Sequence, residues 1–282
     1  VLKLLTALED GDEDAVFAEY ADLAALGTIG DIVSLKGENR TIIRAGLSAI
    51  ASGGRPGLDA LVRLSGVNAG SLSAGTVAFT LVPRINAVGR MGGPERAVRL
   101  LTSEYPEEAE RLAAEVCQEN DNRRKVEADI AAEVFAQIES DERMRHDRVL
   151  VVSGKDWHPG VIGIVAARVT DRYGKPSLIL SEGEDEAKGS GRSVEGFNLF
   201  EAISGCGELL VKFGGHPMAA GITVLPQNIA AFREGINAWA RGHMPVMPAQ
   251  PIRLDCKLNH ATPRGGMQAA PSAPEPSAAD RP

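Results

Sequence analysis

Apolar residues recur at helical spacing through much of the first 140 positions and then give way to short continuous runs separated by turn residues. Leu2, Leu4, Leu5 and Leu8 precede the acidic stretch Glu9–Asp14, which predicts a helix end followed by a solvated turn. Tyr20–Asp31 predicts a short apolar element closing in a Gly/Thr/Asp turn. Ile42, Ile43, Leu47 and Ile50 predict a helix over Asn39–Ile50. Gly53-Gly-Arg-Pro-Gly57 breaks it, and Leu58, Leu61, Val62 and Leu64 form a further short one. Val82–Pro94, punctuated by glycine and proline, reads as a stiff loop. From Pro106 to Ser140 runs the longest helical pattern, with Val126, Ile130, Val134 and Ile138 four residues apart. At 1.5 Å per residue it would reach about 50 Å, long enough to connect two domains or wall the cleft between them.

The second half changes rhythm. Arg148–Ser153 is a strand-like run, Val161–Tyr173 is helical with Gly174 as its stop, and Ser177–Ser181 is a second strand. Strand, helix, strand within this span is a βαβ unit with a parallel pair. Lys188–Val194 is a Gly/Ser-rich strand or loop, Leu199–Phe213 a helix ending in a Gly-Gly-His turn, Ile222–Val224 a short strand and Asn228–Arg241 a closing helix. Beyond about Pro263, Ala, Pro, Ser and Gly dominate, and disorder is expected.

With 282 residues the chain can hold two modest domains, and 44% hydrophobic with 24% charged residues is ordinary for a globular protein. No continuous apolar stretch is long enough for a membrane helix, and no signal-peptide pattern opens the chain. Cys117, Cys206 and Cys256 are too few and scattered for a disulfide scaffold or zinc cluster, so a reducing, cytoplasmic setting is expected. A net charge of −8 argues against coating nucleic acid by bulk charge. Locally the balance reverses. Between positions 80 and 100, Arg84, Arg90, Arg96 and Arg99 oppose only Glu95, a charge of +3.

Five places could carry chemistry. Asp31 could reach a divalent metal, or serve as an ordinary capping or loop aspartate. Arg84 and Arg90 could make bidentate phosphate contacts, or pair with surface carboxylates. In Trp157-His-Pro-Gly160, Pro159 would open a helix, placing His158 at its anion-favouring end or as a structural cap. Lys188-Gly-Ser-Gly-Arg-Ser193 could form an anion-binding nest or a plain hairpin turn, and it lacks the Gly-Lys-Ser/Thr ending of a P-loop. His216, after Gly214 and Gly215, could enter a cleft or pack at a helix end. The common theme is phosphate binding, with no local acid/base pair and no Ser-His-Asp set.

Together, Tyr20–Asp31, Pro83-Arg-Ile-Asn-Ala-Val-Gly-Arg90, Trp157–Arg168, Lys188–Ser193 and Phe213-Gly-Gly-His-Pro-Met-Ala-Ala-Gly221 resemble the RecJ family of single-strand-specific exonucleases, within the DHH/DHHA1 phosphoesterase superfamily. The resemblance runs from about residue 15 to 258. It implies an α/β fold: the end of a DHH domain (1–100), a long connecting helix (101–145), a DHHA1 domain with a mixed sheet flanked by helices (146–243), and a linker and tail (244–282). It also implies 5′-to-3′ degradation of single-stranded DNA by two-metal catalysis with Mn²⁺ or Mg²⁺. Asp31 matches the last metal ligand of the family, with Asp22 the weaker candidate. Arg84, Ser190 and Arg192 match positions suited to gripping DNA and its 5′ phosphate. Lys188, Arg90 and His216 complete the phosphate-binding set, and His158 and His216 are the candidates for a catalytic role. Implied partners are single-stranded DNA with a 5′ phosphate, and a helicase and a single-strand-binding protein, without a membrane.

The family's Asp-x-Asp and Asp-His-His motifs do not occur in this sequence and are expected upstream of Val1. Pro251–Leu258 resembles the opening of the family's OB-fold, but the Pro/Ala tail follows instead. The chain by itself is therefore expected to be inactive or nearly so. Two other readings are a non-catalytic single-strand-binding module and a phosphodiesterase acting on short oligonucleotides.

Overall fold

The computed structural model describes residues 1–9 and 11–248. They divide into two compact units, one from Val1 to Asp121 and one from Asn122 onward, each with its own buried core. Pro251–Leu258 and the Pro/Ala tail lie outside the described residues.

The first unit is built of helices: α1 (Leu2–Leu8), α2 (Glu13–Gly30), α3 (Glu38–Ser52), α4 (Pro56–Leu64) and α5 (Ala74–Thr76). A wider π-type turn over Val77–Leu81 then leads into α6 (Val82–Met91), followed by α7 (Pro94–Thr102). The acidic stretch does more than form a solvated turn. Asp12 caps α2 by accepting from the Ala15 N–H at 2.9 Å, and Glu13 and Asp14 sit in the first turn, where the helix dipole favours them. Tyr20–Asp31 is accordingly no short element; it is the last three turns of an 18-residue helix, and Asp31 is its C-cap. On α3, a Cβ added to Gly46 would lie 2.3 Å from the Ala21 carbonyl oxygen, so glycine allows α2 and α3 to pack backbone against backbone.

The expected loop over 82–94 is instead mostly helix. Pro83 is the second residue of α6 and directly follows the π-type turn, with Leu81 and Val82 both helical; the wider turn carries the chain through the missing N–H without breaking the helix, and Gly92 ends it at φ +102°. Arg84 and Arg90 therefore stand on a helix, not a stiff loop.

Helix α8 runs from Pro106 to Ser140, as the periodicity predicts, and continues through the boundary at Asp121. The second unit adds α9 (Glu142–His146), β1 (Leu150–Lys155), α10 (Ile162–Tyr173), β2 (Ser177–Glu182), β3 (Ala187–Arg192), α11 (Leu199–Ser204), β4 (Leu210–His216), β5 (Ala219–Val224) and α12 (Ile229–His243). Five strands form one mixed sheet in the order β1-β2-β3-β5-β4, with β1 and β2 parallel and all other pairs antiparallel. Leu178, Leu180, Ala187, Ala220, Ile222 and Val224 form a core with Leu199 and Ile203 of α11 and Phe232 and Ile236 of α12. Helix α10 covers the other face over β2 and β3.

Three carboxylates of α8 fasten it within this unit: Glu127 accepts from Arg168, Glu133 from the Trp157 indole at 2.8 Å, and Glu139 from the Tyr173 hydroxyl at 2.7 Å. Buried Asn237 fixes the approach to β1, accepting from the Arg148 and Val149 N–H groups at 2.8 and 3.0 Å.

Two glycine-rich stretches differ from expectation. Lys188–Arg192 is a central strand whose backbone pairs with both β2 and β5, so it forms no anion-binding nest. Phe213–His216 belongs to edge strand β4, not to a helix end, because α11 stops at Ser204.

Candidate nucleic-acid interface

In the first unit, the end of α2 meets the start of α6. A Cβ on Gly30 would lie 3.3 Å from the Val82 side chain, which puts Asp31, one residue on, beside the helix turn that carries Arg84. The guanidinium of Arg84 donates from Nη1 to the Thr80 carbonyl at 2.6 Å, while its Nε is buried with no hydrogen-bond partner. A buried unpaired donor is costly, and an anion in this corner would satisfy it. Asp31 is exposed, at the rim of a groove of about 810 Å³ lined mainly by apolar side chains of α1, α2 and α3. The next residue, Ile32, adopts φ +54°, a left-handed conformation that a β-branched side chain rarely takes.

Asp22 is committed elsewhere. Its carboxylate accepts from Arg55 Nε at 2.6 Å and Nη2 at 3.3 Å, with the ion pair largely buried. Arg90 is exposed in the last turn of α6. The local charge of +3 is reduced by pairing, since Arg96 meets Glu119 at 3.0 Å and Arg99 meets Glu108 at 2.5 Å.

In the second unit, the cross-strand register gathers the phosphate candidates on one sheet face. Arg192 of β3 and His216 of β4 both pair with Ala219 of β5. Residues at one register level of an antiparallel pair project from the same face, so Arg192, Ala219 and His216 make a row. Ser190 lies two residues back along β3, opposite Gly221, and Lys188 two further, opposite Thr223. Arg192 Nη1 donates to Ser190 Oγ at 3.3 Å and to the Gly191 carbonyl at 2.8 Å, so the guanidinium folds back over the serine. His216 accepts from the Met218 N–H at Nδ1, 3.3 Å away, which leaves Nε2 as the ring's other polar atom.

His158 lies one turn before α10. Its carbonyl accepts from the Val161 and Ile162 N–H groups at 2.9 and 3.2 Å, and its Nδ1 from Gly160 at 3.1 Å. Pro159 is thus in the turn ahead of the helix and not in its first turn, contrary to expectation. The preceding Trp157 carbonyl accepts from the Ser181 hydroxyl, and Ser181 is the cross-strand partner of Lys188.

Two contributors escaped the sequence reading. Gly163 of α10 lies directly over the serine–arginine pair: a Cβ there would come 2.9 Å from Ser190 Oγ and 3.3 Å from Arg192 Nη2. Lys212 of β4 pairs with Thr223 and joins the same face. Its signal, alternation along Leu210–His216, is hidden because two of the alternating positions are glycine.

Among the described residues no three His, Cys, Asp or Glu side chains come together as a metal site. Asp31 alone does not provide the donor set that Mg²⁺ or Mn²⁺ requires. No helix among them is long and apolar enough to cross a membrane.

Residues 146–242 match the DHHA1 domain. The chain is 41% identical to the single-stranded-DNA-specific exonuclease RecJ of Bacillus subtilis over 86% of its own length and 31% of that protein. It is 37% identical to RecJ of Dickeya dadantii over 80% of the chain and 41% of that protein. The fold superposes on crystalline RecJ from Thermus thermophilus in complex with Mg²⁺ with a TM-score of 0.74 at 33% identity, covering 83% of this chain and 36% of the other. A second structure of RecJ from that organism contains Mn²⁺. The chain therefore contains a DHHA1 domain and is homologous to part of the RecJ exonucleases, spanning between about a third and two fifths of the length of these relatives.

Proposed function

We propose that this chain supplies the DHHA1 domain and an adjoining helical part of a RecJ-type exonuclease, which degrades single-stranded DNA from a 5′ phosphate with Mg²⁺ or Mn²⁺. The observation that carries the reading is the Arg192–Ser190 pair beneath Gly163, in one row with His216 across Ala219. A half-buried forked guanidinium and hydroxyl beneath α10, with an exposed imidazole in the same row, match the three acceptor oxygens of a terminal phosphate.

In this reading Arg192 and Ser190 bind the 5′ phosphate and His216 orients or protonates a neighbouring oxygen through Nε2. His158, in the turn near the Lys188 end of β3, and Lys188 itself steer the strand. Arg84 offers its unpaired Nε to a backbone phosphate near Asp31, and Arg90 extends that basic helix. Asp31 is one ligand of a metal site whose other donors are not among the described residues. Asp31 would be this chain's one contribution to holding a metal, which would supply activation of water and charge stabilisation at phosphorus; this chain's other residues bind, orient and hold the strand. A helicase and a single-strand-binding protein are the proposed macromolecular partners, and the cytoplasm the proposed location.

A single metal-ligating carboxylate favours a second statement: the chain on its own binds strands without cleaving them. Incubating it with 5′-phosphorylated single-stranded DNA and Mn²⁺ or Mg²⁺ should leave the DNA intact. Robust degradation that Asp31→Ala abolishes would contradict it.

A further inference from the structure

The sheet face that carries Arg192 continues past it. In register order, β4, β5 and β3 present three rows: His216, Ala219, Arg192; then Gly214, Gly221, Ser190; then Lys212, Thr223, Lys188. The middle row is a furrow. Gly214 and Gly221 both have ordinary φ values, and a Cβ at Gly214 would meet nothing within 4 Å, while one at Gly221 would meet only the Gly189 carbonyl at 3.9 Å. Neither the backbone conformation nor crowding within the chain demands glycine at these two places. Glycine inside a strand weakens it and often marks close approach by another backbone or a ligand. Here the two leave the backbone of β4 and β5 bare, in a furrow that ends at Ser190 on β3, and the far row borders it with two exposed ammonium groups and a half-buried hydroxyl.

We infer that Lys188, Thr223 and Lys212 form a second phosphate subsite, separate from the Arg192–Ser190–His216 site, and that the sugar–phosphate backbone of a single strand lies in the furrow between them. The inference rests on the reading of this domain as a single-strand binder. Four residues along a strand separate the two rows by about 13 Å, and two strand spacings separate Lys188 from Lys212 by about 10 Å. One nucleotide advances about 3.4 Å when stacked and roughly twice that when extended, so a dinucleotide anchored by its 5′ phosphate ends short of the lysine row. A hexanucleotide reaches it. Next to Lys188, the β2–β3 turn carries Glu184, Asp185 and Glu186, an anionic end that repels a strand continuing in that direction.

The test uses the full chain and 5′-phosphorylated oligothymidylates of two and six nucleotides, each labelled at the 3′ end, with binding followed by anisotropy over a salt series. The wild type should bind the hexamer at least tenfold more tightly than the dimer. The variant Lys212→Ala should lose a large part of that gain yet bind the dimer within about twofold of wild type. Its dependence of log affinity on log salt for the hexamer should flatten by about 0.7, the value for one lost phosphate contact on a single strand. Gly221→Val, which fills the trough without touching a charge, should weaken the hexamer selectively while leaving the thermal midpoint unchanged or raised. Equal hexamer and dimer affinities in the wild type, or equal losses on both lengths in the lysine variant, would overturn the second subsite while leaving the first intact. Absence of binding to either length by the wild type would overturn the single-strand reading and the subsite with it.

Discussion

Gly163 sits over the Arg192 and Ser190 side chains so closely that a single added methyl would come 2.9 Å from the serine hydroxyl. The atoms it would displace are the ends of mobile side chains, and position 163 is helical, where alanine is favoured over glycine by up to about 1 kcal/mol. Gly163→Ala should therefore fold with a thermal midpoint no lower than wild type, and yet bind 5′-phosphorylated single strands at least fivefold more weakly. Parallel melting and anisotropy measurements separate the two effects.

Arg84 is the first unit's counterpart. Its Nε is buried and unpaired; if the guanidinium holds a phosphate as proposed, truncation should cost about 1.5–3 kcal/mol, or roughly 10- to 100-fold in affinity for a single strand. Arg84→Lys keeps the charge without the forked donors and should recover only part of that loss. Competition binding with unlabelled oligonucleotide reads both variants.

The Asp22–Arg55 pair is structural. Asp22→Ala leaves a largely buried guanidinium without its carboxylate and should destabilise the first unit by roughly 1.5–3 kcal/mol. Denaturant unfolding with a double-mutant cycle against Arg55→Ala should give a coupling energy that does not change when Mg²⁺ or Mn²⁺ is added. A metal-dependent coupling would return Asp22 to the list of ligands.

Tyr173 reports on how α8 is held. Burial, then its hydrogen bond to Glu139 and that carboxylate's charge, push its hydroxyl up to about 12. Because the folded-state value exceeds the unfolded one, this contribution to stability is complete below about pH 10 and is lost as the pH rises toward 12. A spectrophotometric titration should find Tyr173 ionising last, beyond Tyr20, which its hydrogen bond to Glu19 also raises, and Glu139→Gln should bring Tyr173 part of the way back, since burial remains.

Much of this was legible in the sequence, for physical reasons particular to each element. Helix α8 was readable end to end because Val126, Ile130, Val134 and Ile138 repeat without a break, and the parallel β1–α10–β2 unit because its strands are continuous apolar runs closed by Gly174. Helix α6 was hidden because Pro83 looks like a breaker, and the π-type turn that carries the helix through it has no sequence signal. Strand β3 was legible only as one of two alternatives, strand or loop, because Gly189 and Gly191 occupy its core-facing positions: Cβ atoms there would come 2.7 Å from Ile222 and 2.8 Å from Leu199. Those glycines serve packing, and they mask an alternation that large apolar residues would have displayed. The row joining Arg192 to His216 depends on which strand lies between them, and β5 follows both in sequence; register of that kind is tertiary information.

The central claim is that Arg192 recognises a terminal 5′ phosphate. Its most direct measurement is the affinity of the wild-type chain and of Arg192→Ala for one 3′-labelled single strand carrying either a 5′ phosphate or a 5′ hydroxyl. Tighter binding of the phosphorylated end by the wild type, with that preference reduced to near unity in the variant, is the predicted result. Equal affinity for both ends, or equal losses on both when Arg192 is removed, would contradict it.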